Sequence, residues 1–302
     1  MTSRSDETRG LWLGLLGVTM FAMTLPMTRL AVGPASAPQL PPMFVTAGRA
    51  AFAGLLSILY LWLTRAPRLQ LRHVPALTVA ALGSCVGFPL FLAWALREVD
   101  AMHAAVVTGL LPLATAIVGA IYLRQRPAIS FWVCAALGCA LVVIFAAMKS
   151  HSGITLADGW LVLAVISAAI GYVGGARVAR DISAEQTICW VLIIALPLTL
   201  PVTIATWPKE AVHPSAWIGF TYVTLFSMWI AFFAWYRGLA LGGTVRVSQV
   251  QLVQPFLALL FAVPVLGEKL EPLTVCFSLA VIGIVFLGKR MPTETRLQNV
   301  GS

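Results

Sequence analysis

Long apolar runs separated by short polar links make up almost the whole chain. A helix needs about 20 mainly apolar residues to cross the hydrocarbon core of a bilayer. Five runs of about that length are predicted in the first half, near Leu11–Val32, Met43–Leu63, Val74–Leu96, Ala101–Leu123 and Ile129–Met148. Five more follow near Gly159–Ala179, Thr187–Thr206, Ala216–Leu239, Val247–Leu266 and Leu273–Gly288. The first run follows Arg4 and Arg9, as the core of a signal peptide would. It is too long for one, and no small-x-small cleavage site ends it, so it reads as a span.

Composition agrees with this pattern. Of 302 residues, 60% are hydrophobic and 10% charged, with a mean hydropathy of +0.91. A soluble domain carries about 25% charged residues, so the chain reads as an all-α integral membrane protein. Its five cysteines (Cys85, Cys134, Cys139, Cys189 and Cys276) all fall in apolar runs, which predicts neither a disulfide framework nor a metal cage.

The net charge of +9 suggests a nucleic-acid partner only until the basic residues are placed. Fourteen of the twenty Lys and Arg residues fall in the terminal segments and in the links on the side of the N-terminus. Four (Arg97, Lys149, Lys209 and Lys269) fall on the other side, and Arg29 and Arg49 lie within spans. Positive charge is retained on the cytoplasmic side during insertion. Both termini are therefore expected in the cytoplasm of a multi-pass plasma-membrane protein, the bacterial inner membrane for a bacterial chain. The basic residues are too scattered for a nucleic-acid footprint. The expected partners are the lipid bilayer and a small-molecule substrate, with the chain a monomer or weak homodimer.

The two halves resemble each other. At a shift of 148, Trp12, Leu13, Leu15, Arg29 and Ala31 match Trp160, Leu161, Leu163, Arg177 and Ala179. At a shift of 143, Leu96, Pro112 and Leu123 match Leu239, Pro255 and Leu266. The expected fold is ten transmembrane helices as two five-helix repeats, residues 1–150 and 151–302. A unit with an odd number of spans ends on the opposite side from its start, so its copy is inserted upside down. Inverted repeats give secondary transporters alternating access to a central site.

At these residues the chain resembles the EamA-type transporters of the drug/metabolite transporter superfamily. The resemblance rests on the two five-span halves and on an arginine in the second span, in Phe44-Val45-Thr46-Ala47-Gly48-Arg49. It rests also on prolines in the fourth and ninth spans, followed by Leu266-Gly267-Glu268-Lys269-Leu270. It implies a ten-span inverted-repeat carrier of small metabolites, often an exporter of amino acids or related compounds. The family often has glutamate at both repeat positions, whereas this chain has Gln125 opposite Glu268.

Polar residues within spans are costly and mark candidate sites. Arg49 and Arg29 could each hold a carboxylate or phosphate bidentately, or snorkel to the interface. Thr108, Pro112 and Thr115 share one helix face, as do Ser248, Gln251 and Pro255, with Gln254 beside them. Pro112 and Pro255 each free a carbonyl four residues back, on Thr108 and Gln251, and could act as hinges. Trp94 and Tyr236 occupy comparable places in the two halves, as pocket walls or as an interfacial belt. Met20, Met23 and Met27 could form an adaptable apolar wall or ordinary core.

The apolar cores hold no Asp or Glu, which weakens carboxylate-driven proton coupling, and His103 is a possible but more often merely interfacial titrating group. No phosphate-cradling loop, zinc-ligand spacing or nucleophile elbow is present, so no catalytic residue, cofactor or metal is expected. The favoured reading is a carrier for an amino acid or derivative, acting as an exporter or facilitator. The alternatives are an anion or sugar-phosphate exchanger and, in a different class, an intramembrane lipid-modifying enzyme.

Overall fold

The computed structural model describes residues 4–122, 126–127, 129–149, 155–179, 181–242, 250, 253–289 and 293–294. Nearly all of them are helical. Helices α1 (Arg4–Ala22) and α2 (Thr24–Val32) form the first apolar stretch. The break at Met23 follows from Pro26, which has no N–H for the carbonyl of Ala22. Gly33, at φ 67°, then ends α2 in a conformation that only glycine adopts cheaply. Helix α3 (Pro42–Leu63) starts on a proline, whose missing N–H costs nothing in the first turn.

Next come α4 (Val74–Ala80), a π-helical segment (Ala81–Gly87) and α5 (Phe88–Glu98) as one continuous rod. The rod α6 (Ala101–Thr108) and α7 (Leu111–Tyr122) breaks at Gly109 and Leu110, just before Pro112. After α8 (Ile129–Lys149) come α9 (Leu156–Val178) and α10 (Ala184–Ala205). Helix α11 (Pro214–Tyr222), a second π-helical segment (Val223–Ile230) and α12 (Ala231–Gly242) form another continuous rod. The last helices are α13 (Gln254–Leu266), with Pro255 as its second residue, and α14 (Pro272–Lys289). The extended structure among the described residues is a two-residue antiparallel pairing of Arg126–Pro127 with Thr293–Glu294.

Seven helical stretches are long and apolar enough to cross a membrane: Thr8–Val32, Pro42–Leu63, Leu71–Glu98, Ala101–Gly119, Leu156–Gly175, Ala184–Ala205 and Pro214–Gly238. Three shorter apolar helical stretches, Ala136–Phe145, Gln254–Leu266 and Pro272–Ile284, fall where the remaining runs were expected. Large apolar side chains such as Trp62, Ile129 and Ile204 point outward. That is an expensive surface in water and a suitable one in lipid.

Packing is reciprocal between the halves. Helix α1 lies along α12, and α9 lies along α4, the first π segment and α5. Helix α3 pairs with α10, α6 with α13, and α8 with α14. Lipid tails are as apolar as leucine, so close backbone approach through small residues holds such helices together. A Cβ on Gly83 would lie 2.5 Å from the carbonyl oxygen of Ser167 and 2.7 Å from the backbone of Gly171. A Cβ on Gly238 would lie 2.7 Å from the amide nitrogen of Gly14. Both contacts join the first half to the second.

Gly83→Val is therefore expected to destabilise the protein by about 1–3 kcal/mol through overpacking. Gly159→Ala, where nothing lies within 4 Å, is expected to be neutral. Thermal unfolding of the detergent-solubilised variants checks both; equal melting temperatures would refute the contact.

Candidate functional site

The eighth residue of α3 is Arg49, about 10 Å along the helix from its start at 1.5 Å per residue. Its side chain is 3% exposed. Nη2 donates to Ser227 Oγ at 3.1 Å, and that hydroxyl shares a 2.7 Å hydrogen bond with Thr24 Oγ1. Nε and Nη1 are buried with no partner. Among the described residues, the ion pairs are Arg29–Asp100, His73–Asp181 and His103–Asp158, so Arg49 has no carboxylate partner.

Arg49 lines a cavity of about 50 Å³ where both halves meet. Its polar lining also includes Thr24, Ser84, Thr108, Tyr172, Ser227 and Gln254. Phe21, Leu25, Phe88, Leu111, Met228 and Phe232 supply the apolar wall. Ser84 comes from the first π segment, and Ser227 and Met228 come from the second. The π-helix is rare and recurs at functional sites, because its wider turn re-aims side chains. The cavity has room for a few waters, each needing roughly 10–15 Å³. A metabolite can enter only if the surrounding helices part.

The cavity gathers Arg49, Thr108 and Gln254 from the residues singled out in the sequence. Ser248 and Gln251 lie outside the described residues. Pro112 stands directly after the break between α6 and α7. Thr108 donates to the carbonyl of Ala104 at 2.7 Å, leaving its oxygen lone pairs free to accept. Arg29 does not reach Arg49: its guanidinium donates to the carbonyl of Leu96 and lies 3.7 Å from Asp100. Trp94 lines a different hollow, described below, and Tyr236 packs on Phe232 with ring centres 5.5 Å apart, outside the cavity lining. Thr24, Ser84, Tyr172 and Ser227 were missed. One signal was present: the 143-residue shift, carried one span back, pairs Ser84 with Ser227.

A larger hollow of about 860 Å³ lies at the end of the bundle that carries Asp100 and Asp158. Trp94 and Trp160 line it, their ring centres 5.1 Å apart, and Phe91 stacks on Trp160. Polar ties hold this end together. Glu268 accepts from the backbone N–H groups of Ala101 and Met102, at 2.8 and 2.9 Å, at the start of α6. A carboxylate there also meets the positive end of the helix dipole. Buried His103 joins Asp158 at 2.7 Å, and Asp158 also accepts from the backbone and hydroxyl of Thr155. Arg97 donates to the carbonyl of Leu40 at 3.3 Å. The ties from Glu268 and Asp158 both run from the second half to α6 of the first.

Burial holds the Glu268 carboxyl above the ordinary carboxylate value, outweighing the two N–H donors, with Asp100 adding to the rise and Arg29 opposing it. The folded tie therefore binds a proton more readily than an exposed glutamate, and acidification stabilises it relative to the unfolded chain. Glu268→Ala orphans two N–H groups and is expected to cost about 1–3 kcal/mol. The stability difference between wild type and E268A should grow as pH falls from neutral towards the ordinary carboxylate range, as read by melting temperature. A difference that shrinks on acidification would refute this account.

The EamA-like transporter family model matches residues 8–147 and 155–288. An uncharacterized transporter, YdeK of Bacillus subtilis (strain 168), is 39% identical over 288 residues, covering 94% of this chain and 99% of that protein. A solved crystal structure of a protein 19% identical in sequence superposes with a TM-score of 0.60, covering 95% of this chain and 99% of the other, a likeness of fold. Two matches to one family model, together spanning nearly the whole chain, place it plainly: this protein belongs to the EamA-like transporter family.

Proposed function

We propose that the chain is a secondary carrier that moves a small carboxylate-bearing metabolite, an amino acid or a derivative, by alternating access. It would act as an exporter or facilitator in the plasma membrane, with both termini in the cytoplasm. One observation carries the reading: a fully buried, uncompensated arginine faces a cavity lined by both halves. A guanidinium inside a bilayer is costly unless an anion joins it, and its two empty donors suit a carboxylate.

The ten-span inverted repeat has independent support. The helix pairs are reciprocal, so exchanging the halves maps α1 on α12 and α2 on α11 onto α9 on α5 and α4. The two π segments begin 142 residues apart, at Ala81 and Val223. The family model matches once in each half. Such symmetry lets one arrangement be exchanged for its mirror across the membrane. The positive-inside bias of the links supports the orientation. A non-enzymatic role is supported by the transporter family and by the relative named a transporter.

A phosphate exchanger would need a second cation in the cavity, and Arg29 is committed elsewhere. In proteoliposomes free of nucleotide, carboxylate-bearing amino acids or their derivatives should move down their own gradients. Arg49→Ala should cut the flux at least about tenfold, as expected for removal of a buried charge partner, while membrane insertion stays intact. Strict dependence on added nucleotide, or full flux through R49A, would overturn the proposal.

A further inference from the structure

We propose that the central site prefers monocarboxylates without a free ammonium group, such as N-acylated amino acids, over zwitterionic amino acids. The inference rests on the carrier reading and concerns charge balance once the helices have parted to admit a ligand beside Arg49, among groups that remain mainly apolar.

Among the described residues, the cavity holds one fixed positive charge, Arg49, with two unpartnered nitrogens. Among the described residues, no carboxylate lines it. The eleven acidic residues are Asp6, Glu7, Glu98, Asp100, Asp158, Asp181, Glu185, Glu210, Glu268, Glu271 and Glu294, and every one falls in a terminal segment, a link or the end of an apolar run. A monocarboxylate paired with Arg49 leaves the widened site neutral. A zwitterion brings its own cation, so the same pairing leaves an ammonium with hydroxyl and amide oxygens and the ring faces of Phe88, Tyr172 and Phe232, but no anion, to meet it. A net charge sealed from water costs far more than a neutral polar group. A dianion errs the other way, leaving one negative charge unmatched.

The remaining lining fits an amide better than an ammonium. Thr108 already donates to Ala104 and can accept an amide N–H, while the side-chain NH₂ of Gln254 can donate to an acyl carbonyl. Phe88, Phe232 and Met228 offer an apolar wall for the side chain or the acyl group.

The test measures uptake of alanine, leucine and phenylalanine against their N-acetyl derivatives in nucleotide-free proteoliposomes, with protein-free vesicles subtracted. The acetylated members should be taken up about tenfold faster or more, a discrimination that rests on leaving a charge unpaired against the disfavoured partner. The neutral-site variant Arg49→Gln should lose that preference, because the acetylated anion then becomes the unmatched species. Thermal stabilisation of detergent-solubilised wild type by N-acetylphenylalanine, but not by phenylalanine, gives a second readout that needs no flux. Equal or faster movement of the free amino acids overturns this inference and leaves the carrier reading standing. No movement of either series overturns the carrier reading, and this inference with it.

Discussion

A guanidinium group enclosed by apolar helices is the constraint around which this molecule is organised. Arg49 carries its charge at neutral pH, and burial removes the water that would otherwise solvate it. The protein answers with a single hydroxyl, Ser227, itself tied to Thr24, and leaves the other donors empty. That pattern differs from a structural ion pair, in which burial is compensated within the fold. It suits a site whose compensation arrives from outside.

Placement of that site depends on how closely the backbones approach. The rods carrying the two π segments pack against α9 and α1, and glycines sit at the contacts. At the first π segment, Gly171 leaves the room that Ser84 occupies at the edge of the cavity. Packing and site are thus consequences of the same small residues. A bulky side chain at Gly83 would shift the segment that carries Ser84, not merely loosen an interface.

At the Asp100 end, the polar groups have a different role. Their partners are mostly backbone groups at helix ends: the start of α6 for Glu268, Leu96 for Arg29 and Leu40 for Arg97. Such bonds form and break with the relative position of whole helices. Glu268 and Asp158 thus fasten the second half to α6 of the first at this end.

Apolar periodicity and length were enough to determine the membrane class, the places of the helices and the proline break before α7, since these depend on local hydration and on a missing N–H. The recurrence of Arg49, Thr108 and Gln254 around the cavity was also within reach, because a polar residue in an apolar run has few places to go. Other features were decided only in three dimensions. Arg29 and Arg49 look alike in the sequence, yet one is consumed by Asp100 and Leu96 and the other is left unpaired. Trp94 joins the hollow at the Asp100 end, and His103 finds Asp158, 55 residues away. The π turns that bring Ser84 and Ser227 inward have no local signature. These outcomes turn on which helices touch and at what distance, and contacts between residues far apart in the chain are set by packing, not by the pattern along it.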